Sequence, residues 1–181
     1  MIVEVIGQIC GVAAVCVSFA IYQLKNRRRF IQFKLVIDIL WTSHFLLIGS
    51  IPAFVTTGLA ISREVVFMNK DKKWAKSKWW VVLFISIFLT SSIFTWKNVY
   101  SVIPAIASSL TTLAFWSSNV IKIKLFLFPA SLGMLIYNIQ AQSIAGIVNE
   151  IISELSIVAY FIINYYWSYK RRNKHVNERT D

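Results

Sequence analysis

Apolar residues in this chain gather into long runs separated by short polar or basic breaks. Seven runs can be marked off: 5–24, 35–49, 51–68, 79–96, 99–117, 125–139 and 144–166. Several approach or exceed the ~20 apolar residues a helix needs to cross the hydrocarbon core of a bilayer. The pattern predicts an all-α membrane protein with seven transmembrane helices. The second and third runs meet at Gly49-Ser50-Ile51-Pro52, and a Gly followed so closely by a Pro breaks a helix into a tight hairpin. A second very short break, Ala141-Gln142-Ser143, joins the last two runs. The fifth run carries Ser101, Ser108, Ser109, Thr111 and Thr112 together with Pro104. Hydroxyls and a kink of that kind suit the inside of a helix bundle.

Composition points the same way. At 57% hydrophobic and 15% charged, 181 residues carry more apolar surface than a soluble domain can hide. The net charge of +11 would suggest nucleic acid in a soluble chain. Here the lysines and arginines stand at the ends of apolar runs, so no nucleic-acid partner is expected. With the N-terminus outside, the inner loops 25–34, 63–78, 122–124 and 170–181 hold five, six, two and five Lys and Arg. Only Lys97 is left on the outer side, which predicts N-out and C-in. The segment 70–80 is basic and tryptophan-rich, as a headgroup interface prefers. The N-terminus lacks a basic leader and carries Glu4, so no cleaved signal peptide is expected. Cys10 and Cys16 lie on different faces of one apolar run and read as packing residues without metal spacing. The basic tail 169–175 is expected to fray.

Three runs, one run, three runs suggest a duplication with boundaries at 1–68, 69–97, 98–168 and a tail 169–181. A shift of 93 residues lays Ser50-Ile51 on Ser143-Ile144, Val55 on Val148 and Val65 on Val158. Identity between the halves is poor, but both run basic turn, helix, very short turn, helix. The fourth run restores direction, so both triplets point the same way. Parallel repeats of this kind place a solute site near the midplane, between the halves.

Residues 6–25 (IGQICGVA through SFAIYQLK), Arg28-Arg29-Phe30, the stretch 44–50 and Ser62-Arg63-Glu64 resemble the YgjV-type bacterial inner-membrane proteins. That family is in turn similar to the SWEET, SemiSWEET and PQ-loop group, bundles of three-helix units doubled as 3+1+3 in SWEETs. The resemblance implies a SWEET-like fold, a multi-pass place in the bacterial cytoplasmic membrane, and movement of a sugar or other small solute. Tyr22-Gln23 stands where the group has Pro-Gln, and Phe45 to Gly49 stand where SWEETs have Trp-x-x-Tyr-Gly. Asn149 occupies roughly the place of the substrate-facing Asn of the third helix, and the first half offers Thr56 there.

Ionisable groups at membrane depth are candidate sites by default. His44 can bind solute, shuttle protons or simply hydrogen-bond a neighbouring helix. Its counterparts in the second half are Tyr137 and Asn138. Asn149, Ser153 and Ser156 share one helical face, as do Thr56, Ala60 and Arg63, and these faces are expected to line a polar cleft. Glu150 and Glu154 lie one turn apart. They read either as a proton-coupling pair or as salt-bridge partners of Arg63, with Glu64 at its side. Asp38 is expected to pair with Arg28, Arg29 or Lys34. No metal cluster, phosphate loop or nucleophile-base set is present, so neither an enzyme nor a cofactor is expected. The expected substrate-binding residues are His44, Thr56, Asn138, Asn149 and Ser153. The expected function is small-polar-solute transport by rocking of the two triplets. Membrane lipid is the constant partner, and a homo-oligomer is compatible with the sequence. The alternative is a non-transporting membrane helper or lipid-interacting scaffold.

Overall fold

The structure is a computed structural model that describes residues 2–21, 27–117 and 120–177. Tyr22-Gln23 and Lys25 of the first basic block lie outside these residues. Among the described residues there are seven α-helices and no strand. They are α1 (Ile2–Ile21), α2 (Arg27–Leu47), α3 (Ile51–Met68), α4 (Trp79–Phe94), α5 (Ile103–Trp116), α6 (Val120–Gln140) and α7 (Ile144–Asn177). Among the described residues four stretches are long and apolar enough to cross a membrane: Ile51–Met68, Val99–Trp116, Ile121–Gln140 and Ile144–Ile163. Shorter apolar stretches, Val3–Ser18 and Trp79–Phe94, lie in α1 and α4. α2 is not among these apolar stretches, and its Asp38 and His44 are buried inside the bundle. Large apolar side chains point outward instead, among them Val5, Ile9, Leu83, Phe94, Leu155 and Ile162. Such an outside suits acyl chains, while backbone polar groups are satisfied within the helices.

Six helices close a ring, α1 to α2 to α3 to α5 to α6 to α7 and back to α1. Outside it α4 packs on α3 and α5, where Phe84 and Phe88 join Phe67 and Phe115 in one apolar cluster. A second cluster holds Ala14, Ile37, Trp41, Phe45, Tyr137 and Ala145, from α1, α2, α6 and α7. At the basic end Lys70 donates from Nζ to the Trp116 carbonyl at 2.8 Å and lies 3.9 Å over its ring. The Trp80 indole donates to the Trp74 carbonyl at 2.8 Å, which folds the 69–78 connection onto the start of α4.

The two short turns at the opposite end share their capping bonds. In the first, Gly49 N donates to Leu46 O and Ser50 N to Phe45 O, at 3.1 and 2.8 Å. In the second, Gln142 N donates to Ile139 O and Ser143 N to Asn138 O, at 3.2 and 2.9 Å. Each is a left-handed helix C-cap. The left-handed residue is Gly49 (φ +73) in one and Gln142 (φ 53) in the other.

Two sequence expectations are corrected. The basic tail does not fray at 169–175, because α7 continues to Asn177. Pro104 does not kink a helix, because it sits in the first turn of α5. There its missing N–H has no intrahelical carbonyl to meet.

Candidate functional site

A cavity of about 210 Å³ lies inside the ring and takes lining residues from all six of its helices. That is room for a small polar solute or a cluster of waters. On α2 it is lined by Lys34, Ile37, Asp38, Trp41 and Phe45; on α6 by Lys124, Leu127, Ala130, Ser131, Met134 and Asn138. Lys124 apart, each of these α6 residues stands 93 positions after its α2 counterpart. The same offset relates Thr56, Thr57 and Ala60 of α3 to Asn149, Glu150 and Ser153 of α7, and Ser18 of α1 to Thr111 of α5.

The chemistry at these matched positions differs. On α2, Asp38 is ion-paired with Lys34 one turn away. Of the basic groups expected for it, Lys34 is thus the partner. On α3, Arg63 donates from Nη2 to Glu64 Oε1 at 2.8 Å. Its Nη1 donates to the Ser108 carbonyl at 2.9 Å and to Thr112 Oγ1 at 3.2 Å. The guanidinium carbon stands 5.5 Å from the ring centroids of both Phe88 and Phe115. Arg63 therefore ties α3 to α5 and α4, and it is only 2% exposed. The expected salt bridge from Arg63 to Glu150 or Glu154 does not form. In the ring α3 packs on α2 and α5, whereas α7 packs on α6 and α1, so the α7 carboxylates face a different neighbour.

That neighbour is α6. Ser131 Oγ donates to Glu150 Oε2 at 2.6 Å, and Asn149 Nδ2 donates to Oε1 at 3.1 Å. Glu154 stands next to Ser131 and the Leu132 backbone, but neither of its carboxylate oxygens accepts a well-formed hydrogen bond. Asn138, 1% exposed, lines the cavity with its amide oxygen unpartnered. Ser153 lines the cavity too, but Ser156 bonds back to the Ile152 carbonyl at 2.7 Å and does not.

His44 is fully buried and does not line the cavity. Its Nδ1 lies 2.7 Å from the Gly7 carbonyl, which can only accept, so Nδ1 donates. Its Nε2 lies 2.6 Å from Ser143 Oγ in the second turn. The reverse contact is present as well: Tyr137 Oη lies 2.8 Å from Ser50 Oγ in the first turn. His44 and Tyr137, like Ser50 and Ser143, are 93 positions apart, so the two bonds are reciprocal. Close approach of α1 makes this packing work. A Cβ on Gly11 would lie 2.6 Å from the Ala145 Cβ and 2.8 Å from His44 Nδ1.

Sequence reasoning did not single out Thr57, Ser131 or Trp41. The signal was available, since the 93-residue shift lays Glu150 on Thr57 and Ser131 on Asp38. Among the described residues no group of three or more His, Cys, Asp or Glu is arranged to hold a metal.

Residues 5–172 match the Imp-YgjV family, described as a bacterial inner membrane protein. The chain belongs to this family. The apolar outside of the ring and its long apolar helices agree with that membership, and lipid is the surrounding partner of a YgjV protein. No curated protein and no solved structure matches the chain.

Proposed function

We propose that this YgjV protein is a transporter or facilitator for a small polar solute, held in the cavity at the centre of the ring. The observation that carries the reading is that all six ring helices contribute to one cavity, largely apolar with polar side chains among its lining, at matched positions of α1–α3 and α5–α7. On this reading the chain is a doubled three-helix unit with α4 as linker, in the 3+1+3, SWEET-like sense. The matched turns and reciprocal hydrogen bonds support it. Thr56, Asn138, Asn149 and Ser153 contact the solute. The bonds His44–Ser143 and Tyr137–Ser50 close the hairpin end of the cavity, and rocking of one triplet against the other breaks them. The charge pattern of the loops favours N-out, C-in, which makes the hairpin end the outer one. The reading involves no chemical step and no cofactor.

Purified protein in liposomes is expected to move a small polar solute from a metabolite panel. Asn149→Ala should lower that flux, and His44→Ala should change it by loosening the closure. Absence of flux across the panel for a folded, correctly inserted protein would remove the reading.

The alternative, a non-transporting helper or lipid-interacting scaffold, draws on one specific observation. The α5 hydroxyls of Ser109, Thr111 and Thr112 are each bonded to carbonyls of their own helix, as packing groups are.

A further inference from the structure

The charges at membrane depth are not evenly settled. Asp38 has Lys34, and Glu64 has Arg63. Glu150 and Glu154 of α7 have no Lys, Arg or His within salt-bridge distance among the described residues. The two groups that bond Glu150, the Ser131 hydroxyl and the Asn149 amide, are neutral. Among the described residues three cations line the cavity and none pairs with Glu150: Lys34 of α2, whose field reaches Glu150, is taken by Asp38, Arg63 of α3 is taken by Glu64, and Lys124 of α6 stands 4.4 Å over the Tyr160 ring. A carboxylate so placed is costly unless a cation joins it. Glu150 also lines the cavity, as does Asn138, whose buried amide oxygen lacks a donor. A ligand that supplies both a positive charge and N–H donors meets both needs. A hydroxylated neutral solute meets only the second. Opposite them the α2 wall is aromatic, with Trp41 and Phe45 stacked at 5.6 Å, a surface that tolerates the body of an organic cation.

Resting on the transport reading for its site, we propose that the cavity selects a small solute bearing a primary ammonium group, with Glu150 as its counter-ion and Asn138 accepting one of its N–H donors. Protons compete for the same carboxylate, so the ammonium and a proton exclude one another at Glu150. The second half of the protein then supplies recognition, and the paired acids of the first half do not take part. The wall at the corresponding position of α3 is Thr57, which offers no charge.

The test uses detergent-solubilised full-length protein and radiolabelled methylammonium in equilibrium dialysis. Saturable binding is expected, weakened as the pH is lowered and unaffected by excess glucose. Glu150→Gln should weaken it at least tenfold, and Glu150→Asp should retain most of it. Asn138→Leu, a second variant that leaves the carboxylate intact, should weaken it several-fold. Thermal unfolding of each variant identifies any that fail to fold. Glucose that displaces methylammonium, Glu150→Gln that binds as the parent does, or no saturable binding by folded parent protein would each overturn the inference. Flux of a neutral solute without methylammonium binding overturns it and leaves the transport reading standing. Methylammonium binding without flux of any solute does the reverse.

Discussion

At 48–50 and again at 141–143 the backbone makes the same capping bonds, yet the helices leaving the two turns carry different chemistry into the cavity. The first triplet closes its charges on itself: Lys34 with Asp38, Arg63 with Glu64. The second presents Ser131, Asn149, Glu150 and Asn138 to the cavity, and its Lys124 stands 4.4 Å over the Tyr160 ring without pairing with Glu150. The two turns share their backbone geometry, and the helices leaving them differ in side-chain chemistry. The charges of α2 and α3 form a brace, while Glu150 of α7 is bonded by neutral groups alone. Buried ion pairs contribute little net stability but are costly to break. That is the behaviour expected of a brace.

The largest effect should come from breaking the brace. Arg63→Ala strands the fully buried Glu64 and frees α3 from α5. A loss of about 3–5 kcal/mol is expected from the cost of an uncompensated buried charge. Thermal unfolding in detergent checks it. The double variant Arg63→Met with Glu64→Leu should recover much of the loss, whereas Arg63→Ala with Glu154→Ala should be additive. Additivity for Arg63 with Glu64 would contradict their pairing.

Next come the reciprocal bonds. His44→Ala removes contacts to both Gly7 and Ser143 and is expected to cost about 1–3 kcal/mol, while Tyr137→Phe removes one bond to Ser50 and should cost about 1 kcal/mol. Equal losses from the two would show that the two sides of the interface are matched in energy as well as in geometry.

Gly146 sharpens the comparison further, because Ala53 occupies the corresponding position of α3. A Cβ on Gly146 would lie 2.5 Å from the Asn138 amide and 2.6 Å from Ser143 Oγ. Gly146→Ala should therefore destabilise by about 1–2 kcal/mol through overpacking. It should also displace Asn138, which a change in methylammonium binding would reveal.

The smallest effects belong to the caps. Gly49 has φ +73, and a Cβ placed there would meet nothing within 4 Å, so Gly49→Ala should cost about 1 kcal/mol from backbone conformation alone. Gln142→Gly should gain a fraction of a kcal/mol, because Gln142 already holds φ 53. Opposite signs at the two turns, read by the same melting assay, would establish that one cap is relaxed and the other strained.

Much of the fold was legible in the chain. Long apolar runs can only be helices in lipid, since every backbone donor must then be satisfied within its own segment. Breaks such as Gly49-Ser50-Ile51-Pro52 end helices for local steric reasons. These features depend on neighbouring residues alone, so seven helices and their connections could be read from order and composition. The Lys34–Asp38 pair was legible for the same reason, being one helical turn apart.

Side-chain partners across the ring were decided by tertiary structure. Position along a run gives a residue's depth, but it does not say which neighbouring helix the side chain faces. Arg63 and Glu154 were expected to meet on depth, yet ring order sends Arg63 to α5 and α4 and Glu154 to α6. His44 was expected at the cavity, and the close approach of α1 at Gly7 and Gly11 turned it into an interface bond instead. The unpaired state of Glu150 is likewise a property of the assembled ring, because only packing determines which charges are brought within reach of one another.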